Sequence, residues 1–228
     1  MAVDELKRAA ALRAVEYVRD GMSVGLGTGS TAQYAVRELG RRVREDGLKI
    51  RGVPTSDRTA ALATEVGIPL TTLEECPRLD VTIDGADELV LGTLDAIKGM
   101  GGALLHEKIV ALATEEEILI LDESKVVPRL GDHTSVPVEV VSFGWSRTCH
   151  ALRALGCQPV LRLADGGEQF ITDSGNLLID CRFPSIEDPY ALAAEIKTIT
   201  GVVDHGLFLG IARRAIVAGA SGIREINV

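Results

Sequence analysis

Residues 23–32 read Ser23-Val24-Gly25-Leu26-Gly27-Thr28-Gly29-Ser30-Thr31-Ala32. A short apolar run enters a glycine-rich turn, and a helical pattern, Ala32 to Arg44, leaves it. Strand, tight turn and helix in that order form the first half of a parallel βαβ unit, because two adjacent parallel strands need a crossover. The pattern then recurs: Ile50 to Val53 precedes Thr59 to Val66, Val81 to Ile83 precedes Leu104 to Ala113, and Ile118 to Leu121 follows. Strands that read as solid apolar runs are covered on both faces. The first half is therefore expected to be a doubly wound, mostly parallel α/β sheet of Rossmann-like form. Upstream, Asp4 precedes Leu6, Ala9, Ala10, Leu12, Arg13 and Tyr17 at helical spacing, which predicts a helix capped by Asp4 and ending near Gly21.

The texture changes near residue 131. Val136 to Val141, a helix Trp145 to Leu155, Pro159 to Leu163, a hairpin Gln169 to Asp180 turning at Asp173-Ser174-Gly175-Asn176, a helix Asp188 to Thr200 and Val202-Val203 follow in turn. This β-α-β-β-α-β order is the split βαβ, ferredoxin-like arrangement. The expected division is an α/β domain of residues 1–130 plus 206–228 and a smaller α+β domain of 131–205, with Leu207 to Val228 rejoining the first sheet.

Composition narrows the function. The chain has 228 residues, a net charge of -9 and 25% charged residues. A binder of phosphate backbones needs a basic face, so nucleic acid is excluded as a partner. No apolar run approaches the roughly 20 residues of a membrane span, and the charged, helical stretch from Met1 to Asp20 is unlike a secretory leader, so a cytoplasmic address is expected. Cys76, Cys149, Cys157 and Cys181 are irregularly spaced without a CxxC pair, and are read as reduced.

The turn after the first strand is where backbone N–H groups and a helix dipole converge on an anion. Gly27, Gly29 and Ala32 fit the dinucleotide pattern formally, but the second strand ends Arg51-Gly52-Val53-Pro54, without the acid that would hold a ribose hydroxyl. A Walker lysine is also missing. The hydroxyls of Thr28, Ser30 and Thr31 suit a monophosphate better, although a plain strand-to-helix turn would use the same glycines. Asp84-Gly85-Ala86-Asp87-Glu88 places three carboxylates at the end of the third strand, the edge where open α/β sheets build sites. Solvated acids in an Asp-Gly turn, or a metal cluster, remain alternatives. Ile97-Lys98-Gly99-Met100-Gly101-Gly102-Ala103 is a second glycine turn, opening the helix that carries Glu107 and Lys108. Read alone, Glu107 is an ordinary surface acid. Only six lysines stand against eighteen arginines, and Lys7, Lys98, Lys108 and Lys125 all fall in or beside these motifs. A compact ammonium suits a phosphate or an oxyanion.

In this order and at these intervals the motifs resemble the ribose-5-phosphate isomerase type A family, from Asp4-Glu5-Leu6-Lys7 almost to the end of the chain. They are Gly27 to Ala32, Asp84 to Glu88, Lys98 with Glu107-Lys108, and Ser124-Lys125. Val136-Pro137-Val138-Glu139-Val140, Thr172 to Asn176 and Gly201-Val202-Val203 resemble its second domain. Met100 departs from the family's usual glycine. The resemblance implies interconversion of D-ribose 5-phosphate and D-ribulose 5-phosphate through an enediolate, without metal or organic cofactor, by a homodimer or homotetramer. It also implies residue roles. Glu107 is the base, Asp84 assists ring opening and, like Asp87, contacts hydroxyls, and Lys98 steadies the oxyanion. Thr28, Gly29, Ser30 and Thr31 hold the phosphate with Lys7, while Gly85, Ala86, Gly99, Met100, Gly101 and Lys125 contact the substrate. Rivals on a related fold are a sugar-phosphate sensor, an amino-sugar-phosphate deaminase, a coenzyme A transferase, and a metal-dependent isomerase using Asp84, Asp87 and Glu88.

Overall fold

The computed structural model describes residues 2–228, so Met1, where the first expected domain begins, lies outside the described residues. Strands β1 (Ser23–Leu26), β2 (Arg51–Pro54), β3 (Leu79–Gly85), β6 (Thr114–Asp122), β12 (Arg214–Gly219) and β13 (Gly222–Asn227) form one sheet in the order β13-β12-β6-β3-β1-β2. All neighbours are parallel except the terminal β12–β13 hairpin.

The period of two along β6 shows why both faces are covered. Ile118 and Ile120 join the core beneath helices α1 (Val3–Val15) and α2 (Ala32–Glu45), whereas Leu119 and Leu121 join Ala111 of α4 (Leu104–Leu112) on the opposite face. The solid apolar run is thus divided between two cores. The chain leaves β1 in one direction to reach β2 and returns past it to β3, so the connection reverses between β1 and β3. The crevice outside the carboxyl ends of these strands is where such sheets take ligands.

A second sheet is fully antiparallel, in the order β10-β7-β9-β8: Val202–His205, Val136–Val140, Leu177–Arg182 and Gln158–Leu161. Helices α5 (Trp145–Ala154) and α6 (Pro189–Thr198) complete the β-α-β-β-α-β order. Asp188 caps α6, its carboxylate accepting from the N–H groups of Tyr190 and Ala191. A third, small sheet of β4 (Glu88–Leu89), β5 (Ala96–Ile97) and β11 (Leu207–Phe208) has strands too short to leave a periodic signal. Among the described residues no helix is long and apolar enough to cross a membrane.

Three expectations need correction. The cap of α1 is Ala2, with the Glu5 carboxylate accepting from its N–H; Asp4 lies inside the first turn. That helix stops at Val15 rather than near Gly21, because Tyr17 and Val18 donate to carbonyls three residues back and tighten the chain into turns. The expected hairpin is also shorter: Gln169 and Ile171 make isolated bridges only, and β9 pairs instead with β8 and β7.

Between the sheets, Lys108 Nζ of α4 donates to Asp204 Oδ1 of β10 at 2.6 Å and to the His205 carbonyl, with both side chains largely buried. Removing Asp204 leaves the Lys108 ammonium with neutral partners only, the His205 carbonyl and ring nitrogen. Asp204→Ala is expected to destabilise the fold by about 3 kcal/mol. Urea denaturation checks this, and an unchanged midpoint would mean that water already serves Lys108.

Candidate active site

Gly27 to Thr31 follow β1 at the crevice, and Asp84 ends β3 beside them. The two loops touch: a Cβ on Gly27 would stand 2.5 Å from Asp84 Cα, which only glycine avoids. Asp84 Oδ1 accepts from Thr28 N at 3.0 Å and Gly85 N at 2.7 Å. Its other oxygen lies 3.0 Å from Lys98 Nζ.

Lys98 stands at the centre of the site. It is 2% exposed, its ammonium donates to the Gly85 carbonyl, and it lies 3.6 Å from Glu107 Oε2 and 5.3 Å from the centroid of the Phe208 ring. Burial opposes its charge, but Asp84 and Glu107 outweigh burial and hold the ammonium well above the usual lysine range. For Glu107 the balance reverses. Burial raises its carboxyl to about 8, Lys98 pulls down, and Asp84 and Asp87 push up. Asp87 is raised by burial as well, against the Met100 N–H at 2.9 Å and the charges of Lys98 and Lys125.

These groups border a cavity of about 120 Å³ lined by Lys7, Thr28 to Thr31, Gly85 to Asp87, Lys98, Gly99, Gly101, Glu107 and Lys125. At one end the N–H groups of Gly29, Ser30 and Thr31 open α2 without a protein acceptor among the described residues, and Lys7 Nζ reaches Ser30 Oγ at 3.0 Å. That end fits an anion. At the other end the Glu107 carboxyl and the Lys98 ammonium face each other. A larger open groove of about 430 Å³ between α3 (Asp57–Glu65) and α4 has mixed lining that includes Val53, Leu70, Leu73 and Ile109. It lacks this convergence of buried charge, so the smaller cavity is the candidate site.

Fourteen of the fifteen expected site residues thus fall at or beneath one cavity, with adjustments. Asp84 is 1% exposed and lies below the wall rather than in it. The Thr28 hydroxyl donates to Ser56 Oγ at 2.8 Å and lies within 2.7 Å and 3.1 Å of the Thr55 and Thr59 hydroxyls, so it is not a free phosphate donor. Met100 keeps an ordinary backbone conformation, and its side chain is 43% exposed outside the cavity. Glu88 turns away to accept from the N–H groups of Gly131, His133 and Thr134, so the three acids of 84–88 do not converge as a metal site would require. Lys108 points to β10.

Glu117, buried under the same sheet edge, carries no sequence signal of its position. It is 2% exposed, and neither carboxylate oxygen has a partner among the described residues. Burial, then Asp84 and Glu107, raise it well above the usual range, with Lys98 opposing. Standing after Glu115 and Glu116, it reads in sequence as the end of a solvated charge run. The Thr55-Ser56 signal was available, since hydroxyls at a strand end before a helix mark a cap.

The family described as ribose 5-phosphate isomerase A (phosphoriboisomerase A) matches residues 51–222. A ribose-5-phosphate isomerase A from Gloeobacter violaceus is 55% identical over 227 residues, covering 100% of this chain and 98% of that one. One from a Synechococcus strain is 53% identical over 224 residues, covering 98% and 97%. A solved D-ribose-5-phosphate isomerase in complex with phospho-erythronic acid superposes with a TM-score of 0.97 at 37% identity over 100% of both chains. The isomerase A structure from Methanocaldococcus jannaschii gives 0.95 at 41% identity, again over 100% of both.

Glu117 makes the stability of the fold depend on pH. Its folded value lies above its unfolded one, so the stability its proton confers is complete below the ordinary glutamate range near 4.5 and is lost as pH rises. Each pH unit in that window costs about 1.4 kcal/mol per group. Glu117→Leu removes this loss, so the variant's stability advantage over wild type should widen from pH 5 to pH 7.5 in urea denaturation. An advantage equal at both pH values would contradict the burial account.

Proposed function

The chain belongs to the ribose 5-phosphate isomerase A family, and on that premise we propose that Glu107 is the base of its reaction and Lys98 the cation that holds the developing oxyanion. The enzyme is an aldose–ketose isomerase that interconverts D-ribose 5-phosphate and D-ribulose 5-phosphate. One observation carries the assignment of roles. A carboxyl raised to about 8 lies 3.6 Å from a fully buried ammonium, on the wall of a cavity whose far end offers free N–H groups to a phosphate.

Moving the carbonyl between C1 and C2 requires one group to take the C2 proton and deliver it to C1. Glu107 does this as carboxylate, then as acid. The enediolate oxygen gains negative charge in between, and Lys98 meets it with charge already in place, since Asp84 and the Gly85 carbonyl fix its ammonium. Gly29, Ser30 and Thr31 hold the phosphate through their N–H groups, with Lys7 and Lys125 adding charge. Asp87 lines the cavity and meets the sugar hydroxyls during ring opening together with Gly85, Ala86, Gly99 and Gly101, whereas Asp84 acts through Lys98. This reading needs no metal or organic cofactor. We further read residues 1–130 plus 206–228 as the catalytic unit and 131–205 as a smaller one, the whole working as a cytoplasmic homodimer or homotetramer. The separate sheets support the division, and light scattering in solution measures the assembly.

Glu107→Gln is expected to keep substrate binding and lower turnover by roughly 10²- to 10⁴-fold, and near-normal turnover would remove Glu107 from the chemistry. The acid limb of kcat/KM should follow the Glu107 carboxyl near 8. Because Lys98 favours the ionised form, Lys98→Met should move that limb to higher pH as well as lowering kcat; a limb that stays in place would separate the two groups. Lys7→Ala should chiefly raise KM, and an unchanged KM would place Lys7 outside the phosphate end.

A further inference from the structure

Arg162 follows β8 in the antiparallel unit, yet its guanidinium reaches across to the glycine turn of the catalytic sheet. Nη1 donates to the Gly99 carbonyl at 3.0 Å and the Met100 carbonyl at 3.1 Å. Nε donates to Asp180 Oδ2 at 2.9 Å, and Nη2 donates to the other oxygen of the same carboxylate. The fork is therefore locked on one side by a bidentate carboxylate and grips two successive peptide carbonyls on the other. The Arg162 side chain is 12% exposed, so little water competes.

The consequence follows from peptide planarity. In a trans peptide the C=O of one residue and the N–H of the next point in opposite directions. With the Gly99 carbonyl held by Arg162, the Met100 N–H is turned away from it and meets Asp87 Oδ2 at 2.9 Å. With the Met100 carbonyl held as well, the Gly101 N–H is turned the same way, toward the cavity that Gly101 lines, and it takes no protein acceptor among the described residues. The turn's own bond, Gly102 N–H to the Gly99 carbonyl at 3.0 Å, helps hold the first plane, but the Met100 carbonyl has no partner within the turn, which holds three glycines in four residues, and Ala103 gives the following helix no side-chain cap.

We propose that Arg162, braced by Asp180, is a positioning residue for the isomerisation: it sets the two peptide planes at 99–101 so that Asp87 and the Gly101 N–H present fixed polar groups to the reacting end of the sugar. It touches neither substrate nor Glu107. The inference rests on the reading of the cavity as the isomerase site, and it divides the cavity in two. The phosphate end depends on the β1 turn, and the reacting end depends on a residue of the other unit.

The test uses the full-length enzyme, wild type beside Arg162→Met, Arg162→Lys and Asp180→Asn, with two competitive probes. Inorganic phosphate reports the phosphate end, and phospho-erythronic acid, the compound bound in the similar solved structure, also engages the reacting end. Arg162→Met should lower kcat roughly 10- to 100-fold, as expected for displaced positioning groups. Its affinity for phospho-erythronic acid should fall while that for phosphate stays within about twofold of wild type. Arg162→Lys should not restore kcat, since one ammonium lacks the planar fork. Asp180→Asn should show the same split to a smaller degree, and it decides the matter should Arg162→Met fail to fold. The proposal is overturned if kcat stays within about twofold of wild type in the folded variants, or if both probes weaken in parallel, which would mark a general loosening. Full turnover in Glu107→Gln would discard the site itself; an inactive Glu107→Gln beside an unaffected Arg162→Met discards only the brace.

Discussion

The buried ammonium of Lys98 is the constraint on which the site depends. An ammonium taken out of water without compensation loses its proton or opens the structure, because the desolvation penalty amounts to several kcal/mol. Here compensation comes from Asp84 Oδ2 at 3.0 Å and the Gly85 carbonyl. Asp84 can serve only because its other oxygen is held by Thr28 N and Gly85 N, and that geometry needs β1 and β3 to approach more closely than any side chain at Gly27 would allow. The strand reversal that opens the crevice therefore also provides the counter-ion. On its other flank, the Lys98 N–H donates to the Gly206 carbonyl at 2.9 Å, where the chain returns from the antiparallel sheet.

The same charge sets the poise of Glu107. A carboxyl buried this deeply, beside Asp84 and Asp87, would hold its proton across the physiological range, and a base that never ionises takes no proton. Lys98 pulls the balance back to about 8, within reach of neutral pH, where general acid–base transfer works best. A single ammonium cannot neutralise Asp84, Glu107 and Glu117 together. Asp84 lies closest and has the most donors, so the burden of holding a proton falls on Glu107, the group proposed to use it, and on Glu117, which meets no donor among the described residues.

What the sequence made legible follows from the range of the interactions involved. The strands of the parallel sheet were readable because burial on both faces leaves solid apolar runs, and Ile118 to Leu121 needs no partner to declare itself. Gly27 to Thr31, Asp84 to Asp87 and Lys98 were readable as strand-end motifs. Read alone, Glu107 is a surface acid; only the long-range pairing with Lys98, 3.6 Å away, sets it apart from the other carboxylates. Glu117 left no trace, since two preceding glutamates disguise it and only the packing of α4 across β3 and β6 buries it. The short strands of the third sheet escaped for a related reason: two residues carry no period. The Thr28 residue lines the cavity, but the engagement of its hydroxyl is not legible, because such a hydroxyl looks free until Thr55, Ser56 and Thr59 fold against it.

The antiparallel unit explains why a sheet edge does not suffice for this chemistry. The β1 turn and the start of α2 offer an anion backbone N–H groups alone, as strand-to-helix turns do generally. On the proposed reading, binding energy gathered there would be uniform, equal in substrate and transition state, and by itself would not raise turnover. The reacting end differs, since its polar groups must be rigid before charge develops. Its glycine turn closes with a single internal bond, Gly102 N–H to the Gly99 carbonyl, so most of its rigidity has to come from outside. It comes from the antiparallel unit at several points: Arg162 on the carbonyls of Gly99 and Met100, Phe170 packed where a Cβ on Gly102 would fall, Ser174 on His106, and Asp204 on Lys108 beside Glu107 in α4. Loosening the junction of the two sheets would therefore disturb the chemistry before it disturbed phosphate binding, which is the asymmetry expected when affinity and rate are assigned to different parts of one cavity.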